Sequence, residues 1–301
     1  MRRLIFVGVV LVTSCRPEFG ERESRVDRAR VLAVRIDPPE AKPGEQVTTS
    51  LLVASPDGSF DAPASWAFCA TPKLLTENGA VSAACLTDGV IPIAEARGGV
   101  TATLPASACF DFGPETQSAD VRPRDADVTG GYFAPIRVRI APGGEEPLTA
   151  FGFARVACNL ANAPGDLAAL FRKQYVGNKN PSLLPLEAHL AGGASVSLDA
   201  IPRGVQVVLR ASWRPEDAET YAVFDVRDQV ILMRRESLRV SWFATAGAFD
   251  RDRTGRTEDE LETSTDNAWT APDEARTSHL WVVLRDARGG VAFADAALTT
   301  R

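Results

Sequence analysis

Apolar and polar residues alternate with a period of two along much of the chain, and helical spacing is confined to one short stretch. From Val205 to Trp213 every odd position is apolar, with Gln206, Arg210 and Ser212 among the residues between. Leu238, Val240 and Trp242 alternate with Arg239 and Ser241, and Leu280, Val282 and Leu284 repeat the rhythm. The first half carries the same signal in Leu32/Val34/Ile36, Val47/Leu51/Val53 and Ile136/Val138/Ile140. Short strands bounded by Gly, Pro and Asp predict an all-β fold of sandwiches or barrels. Asp286-Ala287-Arg288-Gly289-Gly290 predicts a hairpin between Leu280–Arg285 and Val291–Ala296, with a glycine available for positive φ. Pro56-Asp57-Gly58 closes another apolar run. Asp166 to Gln174 has helical spacing after Pro164-Gly165 and is broken before Pro181, since the residue preceding proline avoids the helical region. Asp217 to Arg227 interrupts the second half as an added loop or strand pair.

The two halves echo one another. Pro43-Gly44-Glu45-Gln46-Val47 leads into one strand and Pro202-Arg203-Gly204-Val205 into its counterpart, and Ser65-Trp66 and Ser241-Trp242 follow later in each half. With Val34-Arg35-Ile36-Asp37-Pro38-Pro39 at the start and Trp242, Trp269-Thr270-Ala271-Pro272 and the final hairpin in the second half, the chain resembles the tandem immunoglobulin-like domains of bacterial surface proteins. That resemblance implies two immunoglobulin-like β-sandwiches joined by a short helical connection. It is architectural: the Cys…Trp…Cys spacing of antibody domains is missing, and the second half has no cysteine.

The N-terminus carries the most specific motif. Arg2 and Arg3 precede a short apolar run from Leu4 to Val12. As a helix it rises about 15 Å, half of a bilayer core, which suits a secretory signal rather than a span. It ends in Val12-Thr13-Ser14-Cys15, which resembles the lipobox of bacterial lipoproteins. The resemblance implies cleavage before Cys15, lipid on its thiol and acylation of the new amine, with palmitate-type chains anchoring the protein in a membrane. Arg16 rather than aspartate follows the cysteine, implying, by similarity to lipoproteins of Gram-negative cells, transport to the outer membrane. With its composition, the chain is similar to uncharacterised envelope lipoproteins of predatory or gliding soil bacteria, a group with no activity to carry across. Residues 15–30 read as a polar, flexible tether that spans about 50 Å at most when extended.

Composition narrows the function. The chain of 301 residues has a net charge of −6, which becomes −8 (31 basic against 39 acidic residues) once Arg2 and Arg3 are removed. Such a balance argues against nucleic acid as a partner. Cys69, Cys85, Cys109 and Cys158 remain after Cys15, and in an exported chain they predict two disulfides. Of three possible pairings, loop length favours Cys69–Cys85 with Cys109–Cys158, and the sequence leaves the choice open. A zinc site is the rival, but it lacks any C-x-x-C spacing.

Candidate chemistry is sparse. Asp250, Asp252, Thr254 and Gly255 match the opening of a calcium loop, with oxygens at alternate positions before the glycine of a sharp turn. The match then fails, because Leu261 stands where a bidentate glutamate belongs and Arg251, Arg253 and Arg256 repel a cation. His189 and His279, the only histidines, read as strand-end or surface residues. No nucleophile elbow, zinc-protease helix or phosphate loop is present, and no cofactor is expected. Trp281 alternates out of phase with Leu280 and Val282, and if exposed it marks a ligand or protein surface.

The resulting expectation divides the chain into a signal (1–14), a lipidated tether (15–30), a disulfide-bearing sandwich (31–160), a connector with a short helix (161–182) and a second sandwich (183–301). The expected role is a non-enzymatic envelope lipoprotein at the outer membrane, acting in scaffolding, adhesion or protein interaction. One alternative is a glycan- or envelope-polymer-binding module that uses exposed tryptophans. A divergent hydrolase, which needs carboxylates converging in a cleft, is the third.

Overall fold

Alternation gives each strand one apolar face, and two pairs of facing sheets bury those faces. A computed structural model describes residues 22–114, 121, 128–141 and 146–301. In the first sandwich, β1 (Arg30–Asp37), β3 (Gln46–Ser55) and β4 (Gly58–Ser59) form one antiparallel sheet, with β7 (Thr101–Thr103) also paired to β3. Opposite lies a five-stranded sheet made of β2 (Glu40–Ala41), β9 (Leu148–Ala157), β8 (Gly131–Ile140), β5 (Pro63–Cys69) and β6 (Val90–Arg97) in spatial order. Trp66, Phe68, Ile136, Val138 and Val156 from this sheet meet Ile36, Val47 and Val53 from the first.

The second sandwich repeats the plan. One sheet runs β10 (Glu187–Leu190), β11 (Gln206–Ser212), β17 (Ser264–Thr270), β15 (Ala248–Phe249), and the other runs β16 (Arg253–Arg256), β14 (Leu238–Ala244), β18 (Arg276–Asp286), β19 (Val291–Thr300). Val207, Leu209 and Ala211 of β11 pack with Trp269 against Val240, Trp242, Leu280, Val282 and Leu284. The fold is therefore all-β, two immunoglobulin-like sandwiches in tandem. The sequence echo has a backbone counterpart: Gly44 and Gly204, each two residues before a strand, both sit at positive φ (83° and 65°), where a side chain would be strained. Trp66 and Trp242 likewise occupy matching places, one in each core.

Among the described residues, two α-helices and a two-stranded ribbon lie outside these four sheets. Helix α1 (Ala108–Phe112) carries Cys109, and α2 (Gly165–Gln174) occupies the connector. An isolated ribbon of β12 (Thr220–Asp225) and β13 (Val230–Arg235) fills the place of the predicted interruption and packs against α2. No helix among the described residues is long and apolar enough to cross a membrane.

The sandwiches share a third core. Leu32, Ala33, Leu52 and Ala54 of β1 and β3 pack with Val26, Trp281, Val283 and Val291. β1, β3 and β18 thus bury both faces, one in their own sandwich and one in the junction. A shift of register between Val31 and Ala33 accompanies the change of face along β1.

Two expectations need correction here. The flexible tether of 15–30 does not hold from residue 22 onward. Val26 N–H donates to the Ala244 carbonyl at 3.0 Å, Ala244 N–H donates to the Ser24 carbonyl at 2.8 Å, and Ser24, Val26 and Ala29 are buried. Small and apolar residues within a mixed-charge stretch let it lie beside β14. Trp281 is not a surface residue: it is fully buried. Alternation aims it away from its own core, but the first sandwich covers that face.

Candidate functional site

Beside the apolar junction, a run of charged and aromatic side chains crosses from one sandwich to the other. It starts in the first sandwich with Arg155 of β9, whose Nε lies 3.5 Å from Glu40 Oε2. Glu40 also accepts the Tyr175 hydroxyl at 2.7 Å and the Asn178 backbone N–H at 3.1 Å, both from the connector. Tyr175 in turn accepts a hydrogen bond from Arg288 Nη1 at 3.1 Å. Arg288 sits in the turn between β18 and β19, and three further acceptors surround it. They are the Val176 carbonyl at 2.7 Å, Glu219 Oε2 at 2.8 Å and the Glu236 carboxylate. The Tyr221 ring centroid lies 4.1 Å from the guanidinium carbon, a cation–π contact.

The sequence builds this site locally from turns and strand ends. Asp286 accepts N–H bonds from Arg288 and Gly290, which fixes the hairpin turn, and Gly289 takes φ 101° within it. That turn presents Arg288 inward with 2% of its surface exposed. Asn178 Nδ2 donates to Asp286 at 3.2 Å, and Asn180 bridges Val291 N–H to the Ile36 carbonyl. The connector is therefore wedged between the sandwiches rather than strung loosely from one to the other.

Burial sets the electrostatics. It pushes the Glu236 carboxyl up to about 7, with Asp286 adding to the effect and Arg288 opposing it. Burial also raises Glu219 and Asp286 above their ordinary values. Tyr175 is pushed up to about 12, first by burial and then by Glu40. Burial works against the Arg288 charge, but Glu236 and Tyr175 outweigh it, and the guanidinium stays charged beyond its usual range. A buried ion pair of this kind adds little net stability by itself, yet removing one partner strands the other. Chemically the arrangement is a clamp. Carboxylates converge, as a hydrolase requires, but they converge on a buried guanidinium and not on an open cleft.

The residues singled out from the sequence fall elsewhere. Cys15 and the lipobox lie outside the described residues. Cys69 is bonded to Cys85 and Cys109 to Cys158, which closes two loops of the first sandwich. Asp250, Asp252 and Thr254 do not close around a common point. Asp250 Oδ1 accepts from Gln206, and Thr254 lies on β16 with its hydroxyl accepting the Trp242 indole N–H at 2.9 Å. Among the described residues no three His, Cys, Asp or Glu side chains gather as metal ligands. His189 lies 3.3 Å from Glu187 on β10, and His279 stacks on Trp281 with 6.0 Å between ring centroids. All five tryptophans are buried, so the exposed-tryptophan surface of the glycan-binding alternative is not formed.

No protein-family model and no curated protein matches the chain. Among solved structures, it is similar to fibronectin(III)-like modules of Clostridium thermocellum CbhA at 10% identity and TM-score 0.21, covering 89% of this chain and 93% of that one. The Yersinia pseudotuberculosis adhesin InvE matches at 8% identity and TM-score 0.25, over 94% of this chain but only 62% of the adhesin. The C-terminal domain of the Streptococcus pyogenes antigen I/II-family protein AspA matches at 9% and 0.23, over 92% of this chain and 100% of that domain. With overlays this loose, the sandwich assignment rests on the sheets and cores described above.

Proposed function

We propose that the chain is a non-catalytic envelope lipoprotein, held at the outer membrane by lipid on Cys15, whose two sandwiches act as one stiff spacer for scaffold or adhesion contacts. The observation that carries the stiff-spacer reading is the double junction, an apolar core around Trp281 beside the clamp around Arg288. Domains that turn freely about a linker share little buried surface, whereas a shared apolar core resists rotation. The lipobox Val12-Thr13-Ser14-Cys15 supports the anchor, and the two disulfides accord with an oxidising compartment. Fractionation of cells making the full chain or its Cys15→Ser variant tests the anchor. The wild type should stay with membranes through a high-salt wash, while Cys15→Ser should appear in the soluble fraction. A variant that remains membrane-bound after that wash overturns the anchor.

A further inference from the structure

A second concentration of charge lies beside the clamp, on the far side of Tyr221. A groove of about 550 Å³ runs between the end of β13, the start of β14 and β16, and five arginines line it: Arg234, Arg235, Arg239, Arg253 and Arg256. Glu258 is the one acidic residue on its wall, in a chain whose net charge is −6. We propose that this groove binds a chain of closely spaced phosphate groups, as carried by a phosphorylated envelope polymer.

Three observations carry the assignment. The first is register: Arg239 of β14 stands across from Gly255 of β16, which places Arg253 of β16 diagonally next to it on the same face of the sheet. Like charges on neighbouring strands repel, so the surface gains when an anion settles among them. The second is that the arginines are unequally used. Arg256 is tied to the Ser264 carbonyl and to Glu260, Arg235 donates to the Glu260 carbonyl, and Arg253 meets Glu23 in an exposed pair. Arg234 and Arg239 are exposed and have no hydrogen-bond or ion-pair partner among the described residues, so two guanidinium forks face solvent from a wall already held in place. The third is shape. A concave site whose wall is mainly cationic concentrates its field, and a guanidinium fork matches two oxygens of one phosphate. Arg234 and Arg239, with Arg253 in a solvent-exposed pair that an anion can displace, exceed what a single phosphate can take up, which selects for a multiply charged chain.

This proposal does not depend on the lipid anchor. Titration calorimetry of the detergent-solubilised full chain with inorganic tripolyphosphate tests it, with orthophosphate as the single-charge comparison. Tripolyphosphate should bind at low salt, bind at least about tenfold more tightly than orthophosphate, and weaken steeply as salt rises. Arg234→Gln with Arg239→Gln should reduce the affinity about tenfold or more while leaving the melting temperature unchanged, since both side chains are exposed. The charge-matched control Arg172→Gln with Arg203→Gln, which removes two exposed arginines elsewhere, should bind as the wild type does. Should the double variant not fold, Arg239→Lys serves instead. It keeps the charge, loses the fork, and should lower the affinity without abolishing it. Absence of tripolyphosphate binding overturns the proposal, as does equal loss in the control variant. So does binding to vesicles of anionic lipid without binding to tripolyphosphate.

Discussion

Arg288 and Glu236 show how a residue that reads as solvated can become the centre of a molecule. Both sit where strands end, Arg288 in a glycine-containing turn and Glu236 just past β13, and both are buried. Because burial raises Glu236, Glu219 and Asp286, the folded chain holds protons on these groups more tightly than the unfolded chain does. The sign follows from linkage: this contribution is fully present below the unfolded carboxylate value and is lost as pH climbs through the folded one. For Glu236 the window runs from 4.5 to about 7. At 1.36 kcal/mol per unit, the whole shift corresponds to about 3 kcal/mol. Asp266, held low by Arg210, acts in the opposite sense but at lower pH. Urea unfolding should therefore give a lower stability above pH about 8 than near pH about 5, and Glu236→Gln, which mimics the neutral acid, should flatten that slope. An unchanged slope in Glu236→Gln would assign the pH dependence to other groups.

At the scale of elements, the disulfides differ in what they restrain. Cys69–Cys85 joins the end of β5 to a short helical turn and spans 16 residues, while Cys109–Cys158 ties α1 to the end of β9 and spans 49. On the loop-entropy view the first contributes about 3 and the second about 4 kcal/mol by restricting the unfolded chain. Replacing both members by alanine, one pair at a time, should lower the urea midpoint in each case, and more for Cys109/Cys158. Equal or reversed losses would point to native packing around the sulfurs as the larger effect. Much at this scale was legible from alternation alone. β11, β14 and β8 show it cleanly, α2 starts where Pro164-Gly165 indicated, and the ribbon of β12 and β13 occupies the predicted interruption. The junction was not legible, for a physical reason. Glu40, Tyr175, Glu219, Glu236 and Arg288 are scattered through the sequence and obey no period, so their burial arises only when the sandwiches dock. One signal was available: Leu280 to Leu284 is apolar at every position, and Leu51 to Ala54 likewise, the pattern of strands covered on both faces. The arginine groove shows the same limit, because Arg239 and Arg253 become neighbours only through strand register and Arg234 joins them from the separate β12–β13 ribbon.

For the whole molecule, the question is whether two sandwiches with separate cores behave as two bodies or one. Trp281 decides it, because its ring lies in neither sandwich core but between them, packed with β1 and β3. Its indole N–H donates to the Ser59 hydroxyl at 2.7 Å, and that hydroxyl donates to Asp295 at 3.2 Å, so the contact is directional as well as apolar. Trp281→Ala removes the ring and leaves a cavity, a change that costs about 3–5 kcal/mol in a packed site. That loss falls on the coupling between the sandwiches, since Trp66 still fills the first core and Trp242 the second. Scanning calorimetry of the wild type should show one transition, and Trp281→Ala should separate it into two, each sandwich melting on its own. Trp242→Ala removes a ring of similar size from the second core and should instead lower the second sandwich while the junction remains. If Trp281→Ala merely shifts a single transition downward, as a core variant does, the junction is no separate cooperative contact and the stiff-spacer reading loses its mechanical basis. If two transitions appear, the rigidity comes from a contact whose removal leaves both sandwiches folded, and the Trp281→Ala protein becomes the hinged counterpart against which any adhesion or scaffold activity can be measured.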